Sequence, residues 1–138
     1  MFKYLRNLNG SNPPTEAITF SVYQPEDDEN IIRPGMIVSV IAGEIDTIFI
    51  YTAPLYLVVS TSDNGRKANC VKLHTGMVFE ADIADSVSES NIYLGSCYGI
   101  HTDDLARGTH LGPSGEENVF QVIDKTNVNK KKATVVVM

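Results

Sequence analysis

The apolar residues of this chain fall in short runs closed by glycine, proline or asparagine turns, and this spacing constrains the fold most. Runs of about four to eight apolar or β-branched residues between turn signals are typical of strands. Trp is absent, so the core depends on Ile, Val and Leu, and this bias also favours strands. The sequence therefore predicts an all-β fold, a compact sandwich or barrel of about ten short strands with an extended N-terminal arm.

The clearest local signals lie in the first half of the chain. Ile18, Phe20 and Val22 alternate with other residues at period two, which is typical of a half-buried strand. Asn64-Gly65 indicates a hairpin, because both residues tolerate the positive φ that the preferred tight turn demands.

Three later segments carry weaker patterns. Residues 134–138 lack polar alternation and must be buried on both faces, inside the domain or against another subunit. Residues 92–94 indicate a short strand with a bend at Gly95. The only helical candidate is 82–90.

Residues 1–16 are predicted to form an extended N-terminal arm, and residues 17–138 a single β domain. The asparagines, Gly10 and the proline pair favour turning or extended backbone, while apolar residues near the tip suggest a docking peptide. Simple fraying of a chain end is the alternative. An edge strand starting at Ile18 is expected to add to a neighbour's sheet through backbone hydrogen bonds. The predicted protein-interface residues are Phe2, Tyr4, Leu5, Leu8, Ile18, Phe20 and Val22.

The chain is acidic, with a formal net charge of −6. Binding to phosphate backbones depends on Lys and Arg, so we expect no nucleic-acid partner. Four lysines at 125 and 130–132 are the local exception, and the acidic cluster 26–29 lies far from them in sequence. These charges form either solvated turn tips or matched surfaces between subunits.

The sequence also bears on location. Its apolar stretches are far below membrane-spanning length, so we expect no membrane partner. The N-terminus lacks the continuous apolar region of a signal peptide, so the protein is expected to be made and kept in a cytoplasm. Cys70 and Cys97 are then expected as reduced, buried thiols, with a disulfide as the alternative.

Two segments share the spacing Cys-x3-His, namely Cys70 to His74 and Cys97 to His101. On strands, residues four apart lie about 13 Å from each other, too far for one tetrahedral zinc site. A site across strands, Cys70 with His101, is the alternative. His101 and Asp103 are interpreted as parts of a solvated loop. We therefore predict no catalytic residue, no cofactor and no metal, and the chain is not expected to be an enzyme.

Three segments have a strand–turn–strand pattern: "RPGMIV" at 33–38, the run 70–79, and "VFQVID" at 119–124 followed by a terminal Val-rich strand. They resemble segments of the decoration, or cement, proteins of tailed-bacteriophage capsids. The resemblance implies a structural virion protein on the capsid exterior that binds the major capsid protein and braces the shell. It also implies a homo-oligomer, with a trimer favoured.

Other functions stay open at this point. Another phage structural β module, such as a tail, baseplate or head–tail connector component, has the same strand–turn–strand pattern. A small β-barrel that binds a ligand or nucleic acid needs a basic, aromatic-rich strand face, for which few lysines are available. A metal-dependent enzyme is the remaining alternative.

Overall fold

The computed structural model describes residues 1–10, 16–23, 32–45, 54–101, 110–112 and 119–138. Within these residues the chain forms eleven strands and no α-helix, which confirms the predicted all-β class. In chain order the strands are β1 Phe2–Asn7, β2 Ile18–Val22, β3 Ile37–Ile41, β4 Glu44–Ile45, β5 Leu55–Ser62, β6 Lys67–Lys72, β7 Met77–Asp82, β8 Cys97–His101, β9 His110–Gly112, β10 Phe120–Asp124 and β11 Lys132–Val137.

The strands build two sheets. The first has six antiparallel strands in the order β1-β7-β11-β10-β8-β9. The second is a closed barrel in the order β2-β4-β3-β5-β6, where β6 pairs back to β2. All barrel pairs are antiparallel except β2 with β4. The predicted sandwich or barrel is therefore present as a barrel packed against a sheet.

Two hydrophobic cores follow from this arrangement. The sheet core lies on the six-stranded sheet and contains Phe79, Phe120 and Val135 together with Ile37, Leu55 and Leu57 from the barrel strands. The barrel core fills the barrel interior and consists of Val22, Ile32, Met36, Val38, Ile45, Tyr56, Val58, Ala68 and Cys70. Strands β3 and β5 form the wall between the two cores.

Strand β5 shows why this wall needs apolar residues on both faces. Successive side chains of a strand point to opposite faces. Leu55 and Leu57 therefore enter the sheet core, while Tyr56 and Val58 enter the barrel core. The four residues are all buried, so the start of β5 has no polar alternation.

The predicted hairpin at Asn64-Gly65 is confirmed, and it joins β5 to β6. Asn64 and Gly65 have φ of 54° and 82°, and Asp63 adds a third left-handed residue at 53°. The Arg66 amide donates a 3.0 Å hydrogen bond to the Asp63 carbonyl and closes the turn. Residues of this type adopt positive φ at little cost, which fixes the turn here.

Strand β11 confirms burial of the Val-rich segment inside the domain. It lies between β7 and β10, and Val135, Val136 and Val137 are all buried. Met138, the last residue of the predicted run, is exposed. The helical candidate 82–90 was wrong, because β7 continues to Asp82 and only a 3-10 turn at Glu89–Asn91 follows.

Strand β1 belongs to the folded sheet. It pairs with β7 along Phe2–Asn7, and the Phe2 ring stacks on Phe120 with centroids 4.9 Å apart. The Phe2 ring also meets Phe79 edge-on at 6.3 Å. Residues 11–15 of the predicted arm lie outside the described residues, and the division at residue 16 stays a prediction.

A glycine in the turn before β3 lets β1 approach the barrel. The Phe2 amide donates a 2.8 Å hydrogen bond to the Gly35 carbonyl, and Gly35 has a φ of +91°. A Cβ at Gly35 would lie 3.3 Å from Met1 Cε and 3.4 Å from the Phe2 carbonyl oxygen. Both the backbone conformation and the close approach therefore require glycine in the "RPGMIV" turn.

Candidate protein-interaction surfaces

Large apolar side chains that remain exposed are the main candidates for contact with other proteins. Single exposed apolar residues are ordinary on a protein surface, so their grouping and their support decide their importance. In the part of the chain that the structure describes, the exposed large apolar residues are Leu5, Leu8, Ile18, Tyr23, Ile41, Val59, Tyr93, Leu94 and Met138.

The residues predicted to form an interface separate into two groups. Phe2 and Val22 are buried in the protein's own cores, and Tyr4 and Phe20 are partly buried against those cores. Leu5, Leu8 and Ile18 are exposed. Only the second group offers apolar surface to a partner, and its docking role stays a prediction.

Leu5 lies on the solvent face of β1, beside a β-bulge. The register between β1 and β7 shifts between Tyr4 and Arg6, so Leu5 has no partner residue on β7. Because Phe2 and Tyr4 face the core, alternation turns Leu5 outward, and the extra residue leaves Arg6 exposed as well. Leu5 is therefore held on a hydrogen-bonded strand while its side chain faces solvent.

The expectation that Ile18 to Tyr23 is an edge strand was wrong at the end of β2, where the strand has a neighbour on each side. Ile18, Thr19, Phe20 and Ser21 pair with β6, and Ser21 also pairs with Glu44 of β4. Because the barrel closes through β2, its backbone is engaged on one side along its length and on both sides at its end. The period-two alternation correctly predicts that Val22 is buried, but it does not indicate how many strands pair with β2.

An open groove of about 400 Å³ lies where the sheet core reaches the surface. The residues that line this groove are Pro54, Leu55, Lys72, Leu73, Val119 and Val137. Met138 lies beside it, since its amide donates a 2.9 Å hydrogen bond to the Val119 carbonyl. Leu8 belongs to the same end of the sheet, because its amide bonds Gly76, whose amide in turn bonds Val137. The groove is therefore largely apolar, with Lys72 as the charged residue in its lining.

A second surface is the tip formed by Tyr93 and Leu94, which we call the knob. Tyr93 is 58% exposed and Leu94 is 60% exposed, although Ile92 beside them is fully buried in the sheet core. Residues 92–94 do not form the predicted short strand, and a turn begins at Leu94. Gly95, with a φ of +80°, turns the chain directly after the knob.

The backbone that carries the knob is fixed by hydrogen bonds from outside the loop. The Tyr98 hydroxyl accepts from the Tyr93 amide and donates to the Asn91 carbonyl, each at 2.9 Å. Lys125 Nζ donates to the Ile92 carbonyl at 2.8 Å, and the Gly95 amide donates to the Val122 carbonyl at 2.8 Å. The knob is therefore a pair of exposed side chains on a rigid support.

A charged cluster closes the opposite end of the sheet. Asp82 accepts hydrogen bonds from the Met1 ammonium at 3.2 Å and from Lys132 Nζ at 2.7 Å. Burial alone would raise the pKa of Asp82, but the bonds from Lys132 and the Met1 ammonium outweigh it and hold that pKa below its ordinary value. The hydrogen bond to Asp82 raises the pKa of Lys132. The cluster therefore joins Met1 and the start of β11 to the end of β7.

The residues considered for catalysis or metal binding do not form a described site. Cys70 and Cys97 are free thiols on different sheets; Cys70 is fully buried and Cys97 is half-buried. Burial raises the pKa of the Cys70 thiol to about 12. No group of three or more His, Cys, Asp or Glu side chains that could hold a metal ion occurs in the described ranges. Asp103 and the side chain of His101 lie outside them.

The described residues also contain no helix long and apolar enough to cross a membrane. Comparison with family models finds no match to this chain. Comparison with curated proteins and with solved structures likewise finds no match.

Proposed function

We propose that this protein is a non-catalytic structural component of a phage virion, which binds the outer surface of the assembled capsid and stabilises it. Its partner in this proposal is the major capsid protein, and it acts as a homo-oligomer, with a trimer favoured. The observation that carries the proposal is that Leu5 and Ile18, two of the predicted interface residues, are exposed apolar side chains on hydrogen-bonded strands.

Physical chemistry supports such a role. A rigid support lowers the entropy that is lost when a side chain binds, so a few exposed apolar residues on strands can serve as anchors. The net charge of −6 disfavours contact with packaged DNA and suits a protein on the outer face of the shell. The strand–turn–strand segments that resemble capsid decoration proteins point in the same direction.

Co-sedimentation tests the proposal directly. Purified protein is mixed with assembled shells and, separately, with free coat subunits of the phage that encodes it. We expect binding to shells only. Equal binding to free subunits, or no binding to shells, would contradict a decoration role.

Point substitutions are better than truncation for testing the predicted interface residues. Deleting residues 1–16 also removes Phe2 from the sheet core, so lost binding after that deletion has two explanations. Leu5→Ser with Ile18→Ser changes only exposed side chains, and we expect at least about a tenfold loss of shell affinity. Ile41→Ser, equally exposed on the barrel, is the matched control and should bind as the wild type does.

Electron microscopy of labelled particles separates this function from the nearest alternative. A decoration protein is expected across the whole shell. Label at a single vertex or along the tail would favour a connector, tail or baseplate component instead.

A further inference from the structure

The strand pairing of the barrel is repeated in the sheet, and this repeat indicates what binds at the start of β2. We propose that an extended segment of the major capsid protein pairs with Ile18–Phe20 of β2, as β1 pairs with β7. The inference rests on the proposed function and deepens it, because it assigns the kind of segment that the partner supplies and the backbone that receives it.

Strands β7 to β11 repeat the pairing of strands β2 to β6 in the same chain order. In the barrel, β2 pairs with β6 and β4, β3 pairs with β4 and β5, and β5 pairs with β6. In the sheet, β7 pairs with β11, β8 pairs with β9 and β10, and β10 pairs with β11. The parallel pairing of β2 with β4 also has its counterpart, because Ile83 directly after β7 pairs in parallel with Leu111 of β9. The barrel and the sheet are therefore two versions of one five-stranded unit.

A glycine turn occurs at the same place in both units. Gly35 precedes β3 and Gly95 precedes β8, with φ of +91° and +80°. The Gly35 amide donates to the Val58 carbonyl at 2.9 Å, and the Gly95 amide donates to the Val122 carbonyl at 2.8 Å. Strands β5 and β10 each have a register shift directly after that valine. The two units therefore agree in local detail as well as in strand pairing.

Further backbone hydrogen bonds align the two units residue by residue. The corresponding pairs, amide first, are Val58 to Met36 and Val122 to Ser96, Met36 to Arg33 and Ser96 to Tyr93, Val22 to Arg66 and Ile83 to Lys131, and Tyr23 to Ile45 and Ala84 to Leu111. The last two correspondences place β2 on β7. Ile18 then corresponds to Phe79, in agreement with their partners Cys70 on β6 and Val135 on β11.

The two units differ at one strand edge. β1 pairs with β7 along its length, whereas in the described part of the chain no strand pairs with Ile18–Phe20 on the side away from β6. The Asp82 amide donates to the Met1 carbonyl at 2.9 Å, and alternation then directs the amide and carbonyl of Glu80 to β1 as well. Thr19 corresponds to Glu80, so its amide and carbonyl face the open side of β2. An edge of this kind accepts an added strand.

Side-chain burial differs in the same way. Phe79 is fully buried, and the rings of Phe2 and Tyr4 meet it edge-on at 6.3 and 5.7 Å. Ile18 is 49% exposed, although alternation places it on the same face of β2 as Val22, which is buried in the barrel core. An apolar side chain from a strand beside β2 would cover Ile18 as β1 covers Phe79.

β1 also defines the chemistry of the segment that fits this edge. It is antiparallel to β7 and directs two aromatic side chains, two residues apart, to the core. We expect the capsid segment to be extended, antiparallel to β2, and apolar at alternate positions. A second copy does not supply it, because β1 of each copy is held in its own sheet by backbone pairing and by the buried Phe2 ring.

Proline at Thr19 tests the backbone pairing. Thr19→Pro removes an amide on the open side of β2, where a strand tolerates proline, and we expect shell binding in co-sedimentation to weaken at least about tenfold. Thr19→Val keeps the amide and is the matched control, which should bind as the wild type does. Circular dichroism and the urea midpoint show whether each variant is folded. Normal shell binding by folded Thr19→Pro would overturn this inference and leave the proposed function standing, whereas a wild type that does not bind shells would remove both.

Cross-linking covers the case in which Thr19→Pro does not fold. A photoreactive group is attached to Ile18→Cys or to Ile41→Cys, which replace side chains that are each 49% exposed, in a Cys97→Ser background that leaves only the buried Cys70. On assembled shells, Ile18→Cys should cross-link to one segment of the capsid protein, identified by mass spectrometry, and Ile41→Cys should not. Equal cross-linking from both positions, or cross-links only between copies of this protein, would contradict the inference.

Discussion

At the scale of single residues, Asp82 makes the stability of the fold depend on pH. Its carboxylate accepts bonds from Lys132 and from the Met1 ammonium, and Lys132 also lies 3.8 Å from Glu80. The pKa of Asp82 is lower in the folded chain than in the unfolded chain, so its ionised form favours folding. This contribution is complete above the unfolded pKa of about 4 and is lost as the pH falls through the folded pKa.

Replacement of Asp82 by Asn should therefore destabilise the protein at neutral pH and make its stability depend less on pH in the acid range. In urea denaturation the free energy of unfolding of the wild type should fall below about pH 4. The difference in this free energy between the wild type and Asp82→Asn should disappear there. Glu44→Gln removes an exposed carboxylate on the barrel and serves as the control. If the difference in free energy of unfolding stays constant from neutral to acid pH, the charge of Asp82 does not contribute to stability.

The two cysteines should differ strongly in reactivity. Cys70 is fully buried in the barrel core with its pKa raised to about 12, so little reactive thiolate forms. Cys97 is half-buried at the start of β8. We expect a thiol reagent to modify one thiol in the native protein and none in Cys97→Ser. Rapid native labelling of Cys97→Ser would mean that the barrel opens readily.

At the scale of elements, the strand pattern and the best turn signals could be read from the sequence. Period-two alternation placed Val22 inside, and Asn64-Gly65 marked the β5–β6 hairpin. The neighbours of a strand could not be read in the same way, since β1 pairs with β7, which lies some seventy residues later. Residues 92–94 resemble a strand in the sequence because they form a short apolar run, but only Ile92 is buried in the core.

Strand β1 provides a stability test that distinguishes a core element from a free arm. Phe2→Ala should lower the free energy of unfolding by about 3 to 5 kcal/mol, because it removes a ring that contacts Phe79 and Phe120. Leu5→Ala on the same strand should change it by no more than about 0.5 kcal/mol. Urea denaturation measures both. Equal, negligible effects would mean that β1 is not part of the folded core.

At the scale of the whole molecule, the groove shows what sequence patterns miss. Its lining comes from the start of β5, the end of β6, the residue before β10 and the end of β11, and these meet because the sheet and the barrel pack together. Leu55, Leu73, Val119 and Val137 look like ordinary core residues in the sequence. The shared wall of β3 and β5 brings them together and also couples the two cores mechanically.

This coupling predicts one unfolding transition. Met36→Ala in the barrel core and Phe120→Ala in the sheet core should each lower the free energy of that transition by about 2 to 5 kcal/mol. Circular dichroism and tyrosine fluorescence should report the same urea midpoint for each variant. Separate midpoints, with only one moved by each substitution, would show that the barrel and the sheet unfold independently.

The position of β11 has a consequence for synthesis on the ribosome. The barrel strands β2 to β6 are consecutive in the chain, so they can assemble while translation continues. The six-stranded sheet stays incomplete until β11 is made, because that strand inserts between β7 and β10. A nascent chain halted before residue 132 would carry two exposed strand edges that invite aggregation, so this half of the molecule needs the most protection during translation.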